Sequence, residues 1–305
     1  MPITAVLRAG LLAAALVLSA PAQARDITHA MGVTDVPDRP LRVVALTNEA
    51  TEDLLALGIT PVGAARSANS DPWYSYISAQ LAGTTVIGEE LAPDLEAVAV
   101  LQPDLILGNK RRHEKIYDQL SAIAPTVFAE SIQGTWKDNL SLYADAVGRA
   151  DAGAALLEGY NARIATIRQG LGEHVNDTVS VVRFLAGQSY AYFPASFSGA
   201  VLADIGFSRP ATQQGEGLAE KITKERIGEL EADQILHFTY ETGDGLANDE
   251  ARSWMQEPLW LNLQAAKDGH VHAVSDAVWA TAGGLMAAEL ALDDIETIYG
   301  LPASR

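Results

Sequence analysis

Glu96-Ala-Val-Ala-Val-Leu-Gln-Pro-Asp-Leu-Ile-Leu, residues 96–107, returns without a gap 129 residues later as Glu225-Arg-Ile-Gly-Glu-Leu-Glu-Ala-Asp-Gln-Ile-Leu, residues 225–236. Glu96, Leu101, Asp104, Ile106 and Leu107 recur as Glu225, Leu230, Asp233, Ile235 and Leu236, and Val98 is matched by Ile227. Each copy reads as a short helix, an Asp turn and a buried strand. Two generic helix–turn–strand units agreeing by chance lead to the same outcome, two similar α/β lobes.

The surroundings of each copy extend the pattern. Leu41 to Leu46 reads as a strand, followed by the polar loop Thr47-Asn-Glu and a helix from Ala50 to Leu57 that Gly58 stops. Ile59 to Ala64 resumes a strand. In the second half, Val179 to Phe184 is a strand and Phe197 to Ile205 a helix ending at Gly206. Strands alternating with short helices predict parallel α/β layering. Between the halves, apolar residues spaced by three or four from Trp136 to Leu171 predict helix, broken at Gly148 and capped again by Asp151. That second helix is roughly 33 Å long at about 1.5 Å per residue. The expected fold is two Rossmann-like α/β lobes with parallel sheets, joined by one long rigid helix, with a ligand cleft between them. The expected boundaries are a signal peptide over 1–24, an N-terminal lobe over 25–148, the connecting helix over 149–172 and a C-terminal lobe over 173–305.

The signal peptide rests on Arg8, the apolar run Ala9 to Leu18, and the small-x-small site Ala22-Gln-Ala24. The run is too short to span a bilayer. Cleavage after Ala24 removes one base and no acid, leaving 20 basic against 39 acidic side chains, or −19. Such acidity argues against nucleic acid as a partner. With no cysteine in the sequence, disulfides, thiolate metal sites and a lipid anchor on Cys are excluded. The mature chain is expected to be periplasmic, not lipid-anchored, not inserted in a membrane, and monomeric.

In parallel α/β sheets, ligands sit beyond the carboxyl ends of the strands. The loop after Leu105-Ile-Leu107 carries Lys110, Arg111 and Arg112 behind the N-cap candidate Asn109. Cations there oppose the helix dipole, a conflict that an anionic ligand resolves. Arg66 and Arg183 stand at two further strand ends. Aromatic residues follow in the same loops: Trp73, Tyr192, Tyr240 and Trp279, with Tyr74, Tyr76 and Tyr190 beside them. Arginine and aromatic groups together suit a bulky anionic chelate. Three Arg contacts at about 1.5–3 kcal/mol each give about 5–9 kcal/mol before association costs, whereas micromolar binding requires about 8 kcal/mol net, so aromatic burial has to supply the remainder. No catalytic motif is present. A hydrolase alternative would rest on Ser189 or Ser198 near His237. His270 and His272 read as a solvated strand start, and Asp293-Asp294 as a solvated helix face.

The sequence resembles the iron-chelate and cobalamin class of periplasmic binding proteins that feed ABC importers. The resemblance rests on Arg42-Val-Val-Ala-Leu with Thr51-Glu-Asp-Leu-Leu-Ala-Leu-Gly-Ile-Thr-Pro-Val-Gly, Leu95-Glu-Ala-Val-Ala-Val-Leu-Gln-Pro-Asp-Leu-Ile-Leu-Gly and Leu120-Ser-Ala-Ile-Ala-Pro-Thr-Val. Phe197-Ser-Gly-Ala-Val-Leu-Ala-Asp-Ile-Gly and Leu259-Trp-Leu-Asn-Leu-Gln-Ala extend it to the C-terminal half. Within the class, Asn109-Lys-Arg-Arg-His-Glu-Lys and Val182-Arg-Phe are most similar to the ferric-siderophore and ferric-citrate branch. The resemblance implies no enzyme activity and no cofactor. The ligand it implies is an iron(III) chelate whose chelator holds the metal; haem or cobalamin is the alternative. It also implies one exposed Glu per lobe docking on the ABC permease, at positions matched by Glu96 and Glu225. The expected ligand contacts are Arg66, Trp73, Lys110, Arg111, Arg183, Tyr192, Tyr240 and Trp279.

Overall fold

A computed structural model describes residues 24–132 and 134–304. Apart from Ala24, the signal-peptide reading lies outside the described residues. The chain opens with an antiparallel hairpin of β1 (Ala24–His29) and β2 (Gly32–Pro37). A first sheet follows, made of β3 (Val43–Ala45), β4 (Gly63–Arg66), β5 (Thr85–Glu89), β6 (Ala92–Pro93), β7 (Leu105–Asn109) and β8 (Thr126–Ala129), in the order β6-β5-β4-β3-β7-β8. Only the edge pair β5–β6 is antiparallel. The second sheet contains β9 (Val179–Leu185), β10 (Gln188–Tyr192), β11 (Ala219–Ile222), β12 (Gln234–Thr239) and β13 (Val271–Ala273), in the order β11-β10-β9-β12-β13. Its centre, β9-β12-β13, is parallel, and β10 and β11 add antiparallel edges. Tyr190 and Tyr192 therefore lie on a strand and not in the loop read from sequence.

The strands β3, β7 and β8 are buried along their whole length, which is why they read as unbroken apolar runs. The repeat has a structural job. Asp104, entering β7, accepts the backbone N–H groups of Leu41 and Arg42 at 2.8 and 2.9 Å, just before its parallel neighbour β3. Asp233, entering β12, accepts the N–H and hydroxyl of Thr178 at 2.7 Å each, just before β9. The same carboxylate clamps the start of the adjacent strand in each lobe. The two helices of the repeat differ: Leu95–Val100 is α, capped by Asp94, whereas Lys224–Leu230 is 3₁₀. Gly228 stands where the first copy has Ala99, which weakens the α-helix there.

Several boundaries move. The first-lobe helix spans Asn48–Ala56, because the Thr47 hydroxyl accepts from Ala50 N and starts it earlier. The strand read over 59–64 is Gly63–Arg66. A Cβ on Gly63 would stand 2.4 Å from Leu101 Cδ1, so glycine is what lets the 95–100 helix reach the sheet. The long helix runs from Ala150 to Leu171. Asp151 is not its cap; it sits in the first turn, where a carboxylate favours the dipole. The break is at Gly148, with φ of +68°.

The lobes share one apolar core that takes in helices from both, including Trp136, Tyr160 and Phe197, whose rings lie 5.0 and 6.3 Å from the Trp136 ring. The last helix, Leu285–Ile298, is pinned on the long helix by Arg163, only 5% exposed, which bonds Glu289 and Asp293 at 2.6 Å and Glu296 at 2.8 Å. Spacings of four and three put these carboxylates on one helix face. Asp293-Asp294 is thus no solvated face: Asp293 serves Arg163, and Asp294 accepts the Trp279 indole N–H at 2.7 Å. Among the described residues no helix is long and apolar enough to cross a membrane.

Candidate ligand-binding site

The loops beyond the carboxyl ends of β3, β4, β7, β9 and β12 meet around a cavity of about 830 Å³. Arg66 enters from the end of β4, Arg112 from the turn after β7, and Arg183 from β9 in the opposite lobe. Asn109 places Arg112: its carboxamide oxygen accepts from Arg112 N at 3.0 Å and starts the turn. Tyr240, following β12, stacks its ring 4.8 Å from the Arg183 guanidinium.

Each of the three guanidiniums already has an acidic partner. Arg66 meets Asp71 at 2.7 Å and Glu89 at 3.2 Å. Arg112 meets Glu90 at 2.6 Å. Arg183 forks onto Asp276 at 2.6 and 2.9 Å and donates to the Tyr192 hydroxyl at 2.9 Å. Burial works against the charge on Arg183, but Tyr192 and Asp276 outweigh it and raise its pKa. With Glu49 and Glu241 also on the lining, carboxyl groups outnumber cations. The cavity is therefore not the simply positive crevice that the strand-end arginines suggest. It is a set of pre-oriented guanidiniums held by acids of very different exposure. The Asp71 side chain is 95% exposed, whereas those of Asp276 and Glu90 are 12% and 13% exposed.

Of the residues expected from sequence, Arg66, Arg183 and Tyr240 line this cavity. Arg111 and Tyr192 line an adjoining hollow of about 380 Å³, and Arg183 walls both. Lys110 lies on neither lining and pairs with Glu130 at 3.3 Å. Trp73 and Trp279 are not on the lining either; both are buried in the shared core, Trp279 completely. Indoles in loops turn inward because each has 150–250 Å² of mostly apolar surface to bury. Glu96 and Glu225, which begin the two repeated units, are exposed outside the cavity. The Ser–His pairing of a hydrolase is not assembled: Ser189 donates to Glu250, Ser198 bonds Ser196, and His237 packs on Phe184 with burial lowering its pKa to about 4. His270 and His272 bond Asp233 O and the Gln234 side chain.

Sequence reasoning missed Asn48, Glu49 and Glu90; it placed Arg112 in the basic cluster after β7 but chose its neighbours Lys110 and Arg111 as the contacts. The strand-end rule does point to Asn48 and Glu49, which directly follow β3, but nothing local marks them as buried. Both are under 3% exposed at the base of the cavity. Deeper on the same helix, Glu52 accepts from Gly284 N and Ala287 N at 3.1 Å and from the Tyr76 hydroxyl, and Asp53 accepts from Leu285 N at 3.3 Å. These carboxyls cap the last helix. Burial raises the Glu52 pKa to about 7. Burial, reinforced by the Asp53 and Glu90 charges, raises Glu49 well above the usual carboxylate range.

A profile of the family described as periplasmic binding protein matches residues 43–277. The probable siderophore-binding lipoprotein YfiY of Bacillus subtilis is 49% identical over 284 residues, spanning 90% of this chain and 87% of its own. The achromobactin-binding periplasmic protein of Dickeya dadantii is 32% identical over 268 residues, spanning 86% and 87%. The crystal structure of Staphylococcus aureus SirA complexed with staphyloferrin B matches with a TM-score of 0.85 at 32% identity, covering 91% of this chain and 99% of SirA.

Proposed function

This chain belongs to the periplasmic binding protein family, and from that membership we propose that it captures a ferric siderophore or ferric citrate-like chelate and delivers it to an ABC permease. The observation that carries the cargo assignment is the convergence of Arg66, Arg112 and Arg183 from both lobes on one cavity. Its volume of about 830 Å³ suits a chelate of several hundred daltons. The printed cargoes of the relatives support the same class, since SirA is complexed with staphyloferrin B and the Dickeya protein is named for achromobactin.

The acidic partners are compatible with an anionic cargo. The Arg66–Asp71 pair is largely solvated, and such pairs contribute about 0–1 kcal/mol. A cargo carboxylate can replace Asp71 at little cost, while Glu90 and Asp276 keep Arg112 and Arg183 in place. Iron stays with the chelator, and no bond is made or broken. We place the protein outside the cytoplasmic membrane as a monomer. The cysteine-free sequence supports a form not anchored through an acylated Cys.

Calorimetric titration with ferric carboxylate chelates, ferric catecholates, haem and cobalamin tests the reading. Saturable binding of a ferric carboxylate chelate is expected, weakened at least tenfold in Arg183→Met. Tight binding of cobalamin or haem with no heat from any ferric chelate would overturn it.

A further inference from the structure

The cavity has an uncharged polar base beneath its charged rim. Asn48 lines the cavity and is 1% exposed. Its side-chain nitrogen donates to Glu90 Oε2 at 3.0 Å, and Glu90 is itself held by Arg112. That contact fixes which end of the carboxamide is oxygen, because the flipped form would set an acceptor against a carboxylate. The remaining atom, Asn48 Oδ1, is buried and meets no donor among the described residues. The next residue repeats the situation. Glu49 is 2% exposed and on the same lining; its Oε1 accepts from Asn139 at 2.7 Å, and its Oε2 is buried with no hydrogen-bond partner among the described residues. Arg112 pairs with Glu90 and acts on Glu49 only through its charge; burial and the neighbouring Asp53 and Glu90 charges outweigh it and favour the protonated acid. The base then offers one acceptor, Asn48 Oδ1, and one donor, the Glu49 acid hydroxyl.

From these two orphaned atoms on consecutive residues we infer that the cargo carries an amide beside its carboxylates, and that this amide seats on Asn48 and Glu49. Its N–H donates to Asn48 Oδ1 and its carbonyl accepts from Glu49, while the carboxylates engage the arginines above. The inference rests on the ferric-chelate reading and narrows it: plain ferric citrate supplies carboxylates but no amide. A buried acceptor left unmet when the cargo seats is a penalty, so a chelate without the N–H binds more weakly.

The test compares two ferric complexes of equal charge: that of citrate, and that of citrate with one terminal carboxyl condensed onto the amine of glycine. The condensation adds one amide and leaves the number of carboxylates unchanged. Wild-type protein is expected to bind the amide-bearing complex at least tenfold more tightly, and Asn48→Leu to erase that preference, bringing the two affinities within about twofold of each other. Equal affinity of the wild type for the two complexes overturns the inference while leaving the ferric-chelate reading standing, and so does a preference that survives in Asn48→Leu. The wild-type comparison needs no variant, so the test stands even if Asn48→Leu does not fold. Failure of both complexes to bind overturns the inference, and the ferric-chelate reading falls with it only when no other ferric chelate of the wider titration binds.

Discussion

Glu52 shows how a single buried side chain couples the lobes to pH. Its pKa of about 7 in the folded protein stands above the ordinary 4.5, with burial as the main cause. A raised carboxyl pKa means that the folded state prefers the proton. The preference costs nothing at low pH, grows as pH climbs from about 4.5, and is complete above about 7. The difference amounts to about 3 kcal/mol at most. Glu52→Gln has no proton to lose, so its stability relative to wild type should rise between pH 5 and pH 8. Chemical denaturation at several pH values measures this, and a difference that stays flat with pH contradicts the assignment. The aromatic candidates carry the opposite lesson at this scale. Trp73 and Trp279 belong to strand-end loops by position, but they bury their indoles in the core, where Asp294 meets the Trp279 N–H.

The elements owe their placement to a few contacts that recur. Asp104 and Asp233 clamp the two central strands, so the repeated stretch encodes one folding unit used twice. The long helix is held by a different device, the Arg163 guanidinium between three carboxylates of the last helix. Arg163→Met would remove the guanidinium that bridges Glu289, Asp293 and Glu296. Removing one partner of a fully buried pair costs about 3–5 kcal/mol, and the solvent reaching Glu289 and Asp293 lowers the cost here below that range. The expected result is a clear fall in Tm; an unchanged Tm would show that the helix is held by its apolar face alone.

The whole molecule is a clamp whose two lobes share a continuous core, so large hinge motion is opposed by the apolar surface it would expose. A permease must therefore read an almost rigid surface. Glu96 and Glu225 begin the two repeated units and are exposed, one on each lobe. Glu96→Arg and Glu225→Arg are each expected to abolish chelate uptake in cells while leaving calorimetric affinity within about twofold of wild type. Lost affinity would move those residues into the binding function, and unimpaired uptake would remove them from docking. The chain carries 39 acidic against 21 basic side chains. Several of its carboxylates serve as counter-ions to the very arginines that line the cavity.

Local pattern determined the lobes. Apolar periodicity, Gly stops and the 129-residue echo are properties of short segments, and hydrophobic burial makes such segments fold much the same way in any compact context. The strand-end rule likewise brought Arg66, Arg183 and Tyr240 to the cavity, because parallel sheets present those ends together. Only the tertiary structure decided the charge state of that cavity. Asp276 reaches Arg183 across 93 residues, Leu285 reaches Asp53 across 232, and Glu90 orders both Arg112 and Asn48. An ion pair or a buried acid is fixed by which surfaces meet when two lobes close on one core, and no stretch of sequence contains that meeting.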